Sequence, residues 1–295
     1  MDFLNERVRD GKTPRVSVIM SFWNAGKHLD KAVASLQWQT EEDWELIAID
    51  DGSNDGSARL PRLLADPRIH LIRHAQSAGL AVRLNEGVRA ARGRYIARMD
   101  ADDISFPQRL RVQADSLEAH PDVALLASSV LMIDDDGQPL GLTRSPASHE
   151  QITRRAALRF PMPHPTWMGR TEWFRAHPYD ESAIKAQDQH LLYRTWRDSR
   201  FAAIEEPLLA YRYARLSARK TLQGRYHFLR AVWSHGPLLH ACAATTVHAF
   251  AAVRDLLAMA CGRDRSVIRR RGDAVPATLS DQWSQLSAQL DAAGG

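Results

Sequence analysis

Three carboxylates within four positions, in Met99–Asp103 (MDADD), stand behind a short apolar run from Tyr95 to Met99. Carboxylates spaced in this way at a strand end can hold a hard divalent cation, Mg2+ or Mn2+, whose other positions a diphosphate fills. Such an ion would neutralise charge on a departing diphosphate. The same residues also suit a turn of solvated acids. A second acidic element, DDGSNDGS at Asp50–Ser57, closes the apolar run that starts at Trp44. Asp, Ser, Asn and Gly favour loops and helix caps. One of these carboxylates could instead accept a hydrogen bond from a nucleobase N–H, an edge that uracil, thymine and guanine all present.

The elements that must position these acids alternate along the chain. Arg15–Ser21, Trp44–Asp50, Arg68–Arg73, Tyr95–Met99 and Val123–Ile133 have the apolar, β-branched character of strands. Helical stretches are expected after Asn24, which can cap one reaching Gln39, and over Asp55–Ala65, Gly79–Arg92 and Pro107–His120. Five alternations predict an α/β fold with a mostly parallel central sheet covered by helices on both faces. In such sheets ligands bind beyond the C-terminal strand ends, where both acidic elements lie. Asp136-Gly137 predicts a hairpin turn, after which the alternation stops. His164 stands among Pro161, Pro163 and Pro165 in an extended loop, and Asp188 falls at the start of a helix over Gln187–Arg197. Arg215–Gly262 is expected to be a helical extension interrupted at Pro237.

The composition, 44% hydrophobic and 25% charged over 295 residues, is that of a globular protein and excludes a disordered, collagen-like or coiled-coil chain. Two isolated cysteines, Cys242 and Cys261, argue against a zinc or disulfide framework and fit a reducing compartment. The N-terminus has no apolar core of a secretory signal. The net charge of +4 conceals an asymmetry: residues 211–272 carry 12 Lys and Arg against Asp255 and Asp264, so the positive excess lies there. Such a segment can meet a membrane surface or a polyphosphate, or be a solvated helical face. Gly236–Val253 lacks any Asp, Glu, Lys or Arg, but it is Ala-rich and runs into Arg254-Asp255. Leu239, Cys242, Thr246, Phe250, Val253 and Leu257 form one apolar stripe, which predicts an amphipathic packing or interfacial helix rather than a membrane span.

Taken together, VSVIMSFWN ending at Asn24, SLQWQT (35–40), IDDGSNDGS (49–57), GLAVRLNEGVRAARGRYIARMDADDISFPQRL (79–110) and HPDVALLAS (120–128) resemble the family 2 glycosyltransferases of the GT-A fold. The likeness continues through HPTWMGR (164–170), AQDQHLLYR (186–194) and EEPLLAYR (205–212), and so covers about residues 14–213. It implies a glycosyltransferase domain over 1–213, with a nucleotide-sugar half at about 14–135 and an acceptor half at about 136–213. A basic helical extension (214–272) and a flexible tail (273–295), with room for a short helix around Trp283, Leu286 and Leu290, would follow.

The resemblance also implies roles. Asp51 would bind the base, and Ser21, Phe22 and Trp23 would flank the nucleoside. Asp102 would ligate Mn2+ or Mg2+, with Asp100 near the ribose or the metal shell and Asp103 near the donor sugar. Asp188 would be the catalytic base of an inverting displacement, taking the proton of an acceptor hydroxyl. His164 and Gln187 are candidate phosphate or acceptor contacts. His164 could equally be bonded within its loop. The donor would be a UDP-, dTDP- or GDP-sugar and the acceptor a glycan or a lipid-linked molecule in surface polysaccharide assembly. The implied location is the cytoplasm, with peripheral attachment at the inner membrane face and no nucleic-acid partner. Four departures stand out: Gln187 replaces the usual Glu, Ser21 and Trp23 replace common Pro and Tyr, and Leu84 occupies a common Arg position with Arg83 displaced by one. Tyr211 and Arg212 suit packing.

Other classes fit less well. The first loop, SFWNAGKH, lacks the glycines of a dinucleotide-binding turn, a phosphate-binding loop or a sugar nucleotidylyltransferase. DADDI stands too late, with Ile at its last place, for a haloacid-dehalogenase-type nucleophile. A catalytically degenerate protein of the same fold that binds nucleotide-sugar or glycan is the remaining alternative.

Overall fold

The computed structural model describes residues 13–213, 218–260 and 272–293. Its first half alternates β1 (Val16–Phe22), α1 (His28–Gln37), β2 (Trp44–Asp50), α2 (Pro61–Ala65), β3 (Ile69–Arg73), α3 (Leu80–Ala90) and β4 (Tyr95–Arg98). These four strands pair in parallel in the order β3-β2-β1-β4. Every residue of β2 is buried, as a strand covered on both faces requires. Alternate side chains feed two cores. Val16, Val18, Met20 and Leu46 meet Leu29, Val33 and Leu36 of α1. Ile19, Ile47 and Ile96 meet Leu84 and Val88 of α3 on the other face.

After β5 (Ile104–Ser105) and α4 (Arg109–Ala119) come β6 (Val123–Ile133) and β7 (Pro139–Thr143), joined through the turn at Gly137, whose φ is +81°. Short α5 (His149–Thr153), β8 (Met168–Arg170), α6 (Thr171–Ala176), α7 (Gln187–Thr195) and β9 (Arg200–Arg212) complete the sheet. β8 joins β4 to β6 antiparallel to both, β9 runs parallel to β6, and β5 and β7 add antiparallel edges. The sheet is thus parallel through its first four strands and mixed over all nine.

Three local expectations change. Asn24 does not cap α1: it sits at φ +50°, its Oδ1 accepts from Asn54 N, and the helix begins at His28. Asp55–Ala65 is not one helix, because Pro61 starts a new one after a 3-10 turn. The tail expected to be flexible contains helix α10 (Ala277–Ala293). Leu279, Trp283, Leu286 and Leu290 are buried in it against Ala34, Phe106, Leu131 and Ile133. Trp283 Nε1 donates to Gly137 O at 2.8 Å, and Lys31 pairs with Asp291.

The extension consists of α8 (Ala218–His235) and α9 (Leu238–Ala260), broken at Pro237. The apolar stripe of α9 does not pack inward. Ala241, Ala244 and Asp255 are buried, whereas Leu239, Phe250, Val253 and Leu257, on the opposite side of the helix, are exposed, Leu239 by 83% and Phe250 by 75%. Small side chains allow closer approach to α8 than the large ones would. No described helix is long and apolar enough to cross a membrane. Cys261 and the basic residues Arg263, Arg265 and Arg269–Arg271 lie outside the described residues.

Candidate active site

The acidic elements stand at the ends of two parallel strands, β2 and β4, that flank β1. Asp51 is buried and accepts four hydrogen bonds. Oδ1 takes Ala78 N at 2.8 Å and Arg83 Nε at 2.6 Å, and Oδ2 takes Ser77 Oγ at 2.6 Å and Gly79 N at 3.0 Å. Burial alone would raise this carboxyl, but the four donors outweigh it and hold it below the usual carboxylate range. A carboxylate has about four acceptor sites, so Asp51 is saturated by the chain itself. Arg83 is committed to Asp51, to Glu86 and to Gln76 O, and Leu84 is core. Asp50 is buried beside it and accepts from Ser53 N at 2.8 Å.

Of the nucleoside-flanking candidates, Ser21 is half-buried and Trp23 is 61% exposed. Phe22 must be corrected. Strand alternation turns it, with Val18 and Met20, into the core on the α1 face, so its side chain cannot flank a nucleoside there.

At the end of β4, Asp100, Asp102 and Asp103 bring one carboxylate oxygen each within 4.8 Å of one another, the one such group of three among the described residues. Burial and the Asp100 charge push Asp102 up to about 6. Burial and both neighbours raise Asp103 well above its ordinary value. Asp103 Oδ1 accepts from Arg212 N at 2.8 Å, while its buried Oδ2 has no partner. Crowded hard oxygens, one of them an orphaned buried acceptor, fit a divalent cation. Arg212 gives its side chain to the carbonyls of Asp102, Asp134 and Asp135, and so ties this loop to the β6–β7 turn.

Asp188 lies in the first turn of α7, directly after Ala186, a non-glycine residue at φ +54°. A left-handed alanine costs about 1–2 kcal/mol and is held only where its surroundings demand it. Gln189 exchanges hydrogen bonds with the main chain of Phe160 and reaches Asp188 Oδ2 at 3.3 Å. Burial raises the Asp188 carboxyl above its ordinary value, against the lowering effect of Gln189 and Arg98. Gln187 is buried.

His164 is buried, with Nε2 at 2.9 Å from the Tyr179 hydroxyl and its ring edge-on to Trp167. Burial, then the charge of Arg98, holds it well below the usual histidine range, so it stands neutral and bonded within its surroundings. Burial raises the Tyr179 hydroxyl above its ordinary range, and the charges of Arg98, Asp188 and Asp100 also act on it. Arg98, Tyr179, Gln189 and the clamping role of Arg212 escaped the reading of motifs. The signal for Arg98 was available: one cation inside an otherwise apolar central strand.

The family model described as "Glycosyl transferase family 2" matches residues 17–177. An uncharacterized glycosyltransferase of Methanocaldococcus jannaschii is 33% identical over 205 residues, 68% of this chain and 71% of that one. The amylovoran biosynthesis glycosyltransferase AmsE of Erwinia amylovora is 31% identical over 155 residues, 50% of this chain and 57% of that one. The chain spans 46% to 71% of the lengths of the first curated relatives it matches. Among solved structures, S. aureus TarS 1-349 in complex with UDP superposes with a TM-score of 0.58 at 17% identity, covering 92% of this chain and 91% of that one.

Proposed function

The chain belongs to glycosyl transferase family 2, and from that premise we propose that it transfers a sugar, with inversion, from a nucleotide-diphospho-sugar to a hydroxyl of a glycan or lipid-linked acceptor in surface polysaccharide assembly. The observation that carries this reading is the cluster of Asp100, Asp102 and Asp103 at the end of β4, one carboxylate oxygen of each lying within 4.8 Å of the others. Asp102, with Asp100 and Asp103, would hold Mn2+ or Mg2+, which when bound supplies positive charge for the departing diphosphate. Asp188 accepts the proton of the acceptor hydroxyl as that oxygen bonds to the anomeric carbon and the carbon–diphosphate bond breaks on the opposite face. No enzyme nucleophile is needed. Asp51 takes a nucleobase N–H by exchanging one of its four donors, most easily the rotatable Ser77 hydroxyl. Ser21 and Trp23 flank the nucleoside, while buried His164 supports the site by bonding the Tyr179 hydroxyl. The polysaccharide context is supported by AmsE, whose name places it in amylovoran biosynthesis.

The test is a panel of UDP-, dTDP- and GDP-sugars, with Mn2+ or Mg2+, scored for binding and for slow hydrolysis. One donor is expected to bind and hydrolyse, with the metal requirement lost in Asp102→Ala. Failure of every donor with either metal would instead favour a catalytically degenerate protein.

A peripheral membrane contact belongs to the same reading. Leu239, Phe250, Val253 and Leu257 on α9 and Trp233 and Tyr226 on α8 are exposed, and the sequence that follows α9 is strongly basic. Each basic side chain near an anionic bilayer adds about 1 kcal/mol. The chain is expected to float with anionic vesicles and to lose this in the Phe250→Glu, Leu257→Glu double variant. Equal flotation of the variant would remove α9 from the contact.

A further inference from the structure

We propose that Arg98 is the fixed counter-charge of the Asp100–Asp102–Asp103 cluster: a positioning residue that holds Asp100 in one orientation and weakens the cluster's grip on a divalent cation. The inference rests on the reading that this cluster binds such a cation.

Arg98 closes β4 and is only 4% exposed. Its Nη2 forms a close ion pair with Asp100 Oδ1, whereas Nε and Nη1 are buried without any partner. The space around the side chain is walled by Leu84, Val88, Ile96, Phe174 and the Tyr179 ring. A guanidinium with two unbonded nitrogens against such walls is costly, and packing alone would be served better by an aliphatic residue. The cost has to be offset by something that needs a positive charge at this point, and the carboxylate cluster is the group in contact.

Two neighbouring guanidiniums do a different job. Arg109 donates to the carbonyls of Arg98 and Pro165, and Arg212 to those of Asp102, Asp134 and Asp135. Both side chains fix main chain. Among the described residues, Arg98 is the cation whose side chain pairs with a carboxylate of the cluster.

Its position is also rigid. Arg98 N donates to Trp167 O at 2.8 Å, and the next residue, Met99, donates to Ile19 O at 3.2 Å. The charge is delivered by a central strand and cannot swing away as a loop residue could. One fixed positive charge then stands against three carboxylates, and a divalent cation meets a partly neutralised site. A divalent cation bound there would be held less tightly than by three unopposed carboxylates.

The test reads Mn2+ affinity directly, by electron paramagnetic resonance of free Mn2+ titrated into the full chain without nucleotide. Arg98→Met is expected to tighten Mn2+ binding about tenfold or more, as Coulomb's law gives for unit charges a few ångströms apart at an effective dielectric constant of about 20. Arg98→Lys keeps the charge and is expected to stay within about threefold of the parent. A merely structural role predicts the opposite sign, since a disordered cluster binds metal more weakly. If Arg98→Met does not fold, Arg98→Gln carries the same expectation, and thermal melts identify which variants are folded. A folded Met or Gln variant with unchanged or weaker Mn2+ affinity overturns the proposal. Asp102→Ala separates the premise from the inference: if the parent binds no Mn2+, or the Ala variant binds it equally well, the cation reading itself fails and takes this proposal with it.

Discussion

Replacing Asp188 by Asn is expected to lower sugar transfer by about 10²–10⁴-fold, the usual worth of a positioned general base, while leaving nucleotide-sugar affinity within about twofold. Asn keeps the volume and the hydrogen bond from Gln189 but cannot take a proton. The pH profile follows from the same burial. The Asp188 carboxyl lies above its ordinary value, so the acid limb of activity should turn at a pH above that of a solvent-exposed aspartate. The effect on stability has the opposite sign from most substitutions. A carboxyl whose folded pKa is raised costs the fold stability once the pH is high enough to ionise it. Asp188→Asn should therefore melt no lower than the parent at neutral pH, and higher if the carboxylate is the strained form. Full transfer activity in the Asn variant would move the base elsewhere. Loss of donor binding along with turnover would make Asp188 a ligand contact.

The second large effect lies away from the crevice, at Glu45 in β2. Its side chain is 3% exposed and is surrounded by donors. Ser17 Oγ is at 2.6 Å, Arg92 N at 2.9 Å, Arg92 Nη2 at 2.7 Å and His70 Nε2 at 3.3 Å. Burial would raise this carboxyl, but the contacts with His70, Ser17 and Arg92 bring it from 4.5 down to about 2. A depressed folded value contributes stability that is complete above the unfolded value of 4.5 and fades as the pH falls toward 2. A shift of that size corresponds to about 3 kcal/mol. Glu45→Gln, which leaves the Arg92 guanidinium without its carboxylate, should cost roughly this much in urea unfolding at pH 6. The gap between parent and variant should narrow steadily below pH 4.5. A gap under about 1 kcal/mol, or one that is the same at pH 6 and pH 3, would show that the pair contributes little net stability.

Why Glu45 matters was not visible in its own neighbourhood. Its partners come from β1, β3 and the turn before β4, where Gly93 N also donates to Ser17 Oγ. A Cβ on Gly93 would stand 2.6 Å from Ser17 N, so the turn needs glycine because two backbones touch. The parallel half of the sheet was legible because its strands are apolar runs that alternate with helical stretches. The acidic elements were legible for the same reason, as charges where packing asks for none. Phe22 was assigned to the crevice by its place in a motif, although the alternation Val18, Met20, Phe22 turns it into the core. Of the two readings of the α9 stripe, exposure removes packing and leaves the interfacial one, because hydrophobic periodicity finds a face without saying which side is covered. Here Ala241 and Ala244 do the packing. The short helix expected around Trp283, Leu286 and Leu290 extends over the whole of α10, and Leu279, four residues before Trp283, continues its buried stripe. The partners of Asp51 and of Arg98 depend on contacts between distant segments, which spacing along the chain cannot reveal.

The seat of α10 has a consequence for the order in which the protein can be made. Leu279, Trp283, Leu286 and Leu290 cover apolar side chains of α1, β5 and β6, and Lys31 meets Asp291 across a separation of 260 residues. During synthesis the nucleotide half emerges and can fold long before this cover exists. It does so with Phe106, Leu131 and Ile133 open on one flank. The final step of folding is then a long-range closure, slow by the measure of its sequence separation. Until that step occurs, the nascent chain presents a sticky flank of the kind that chaperones hold.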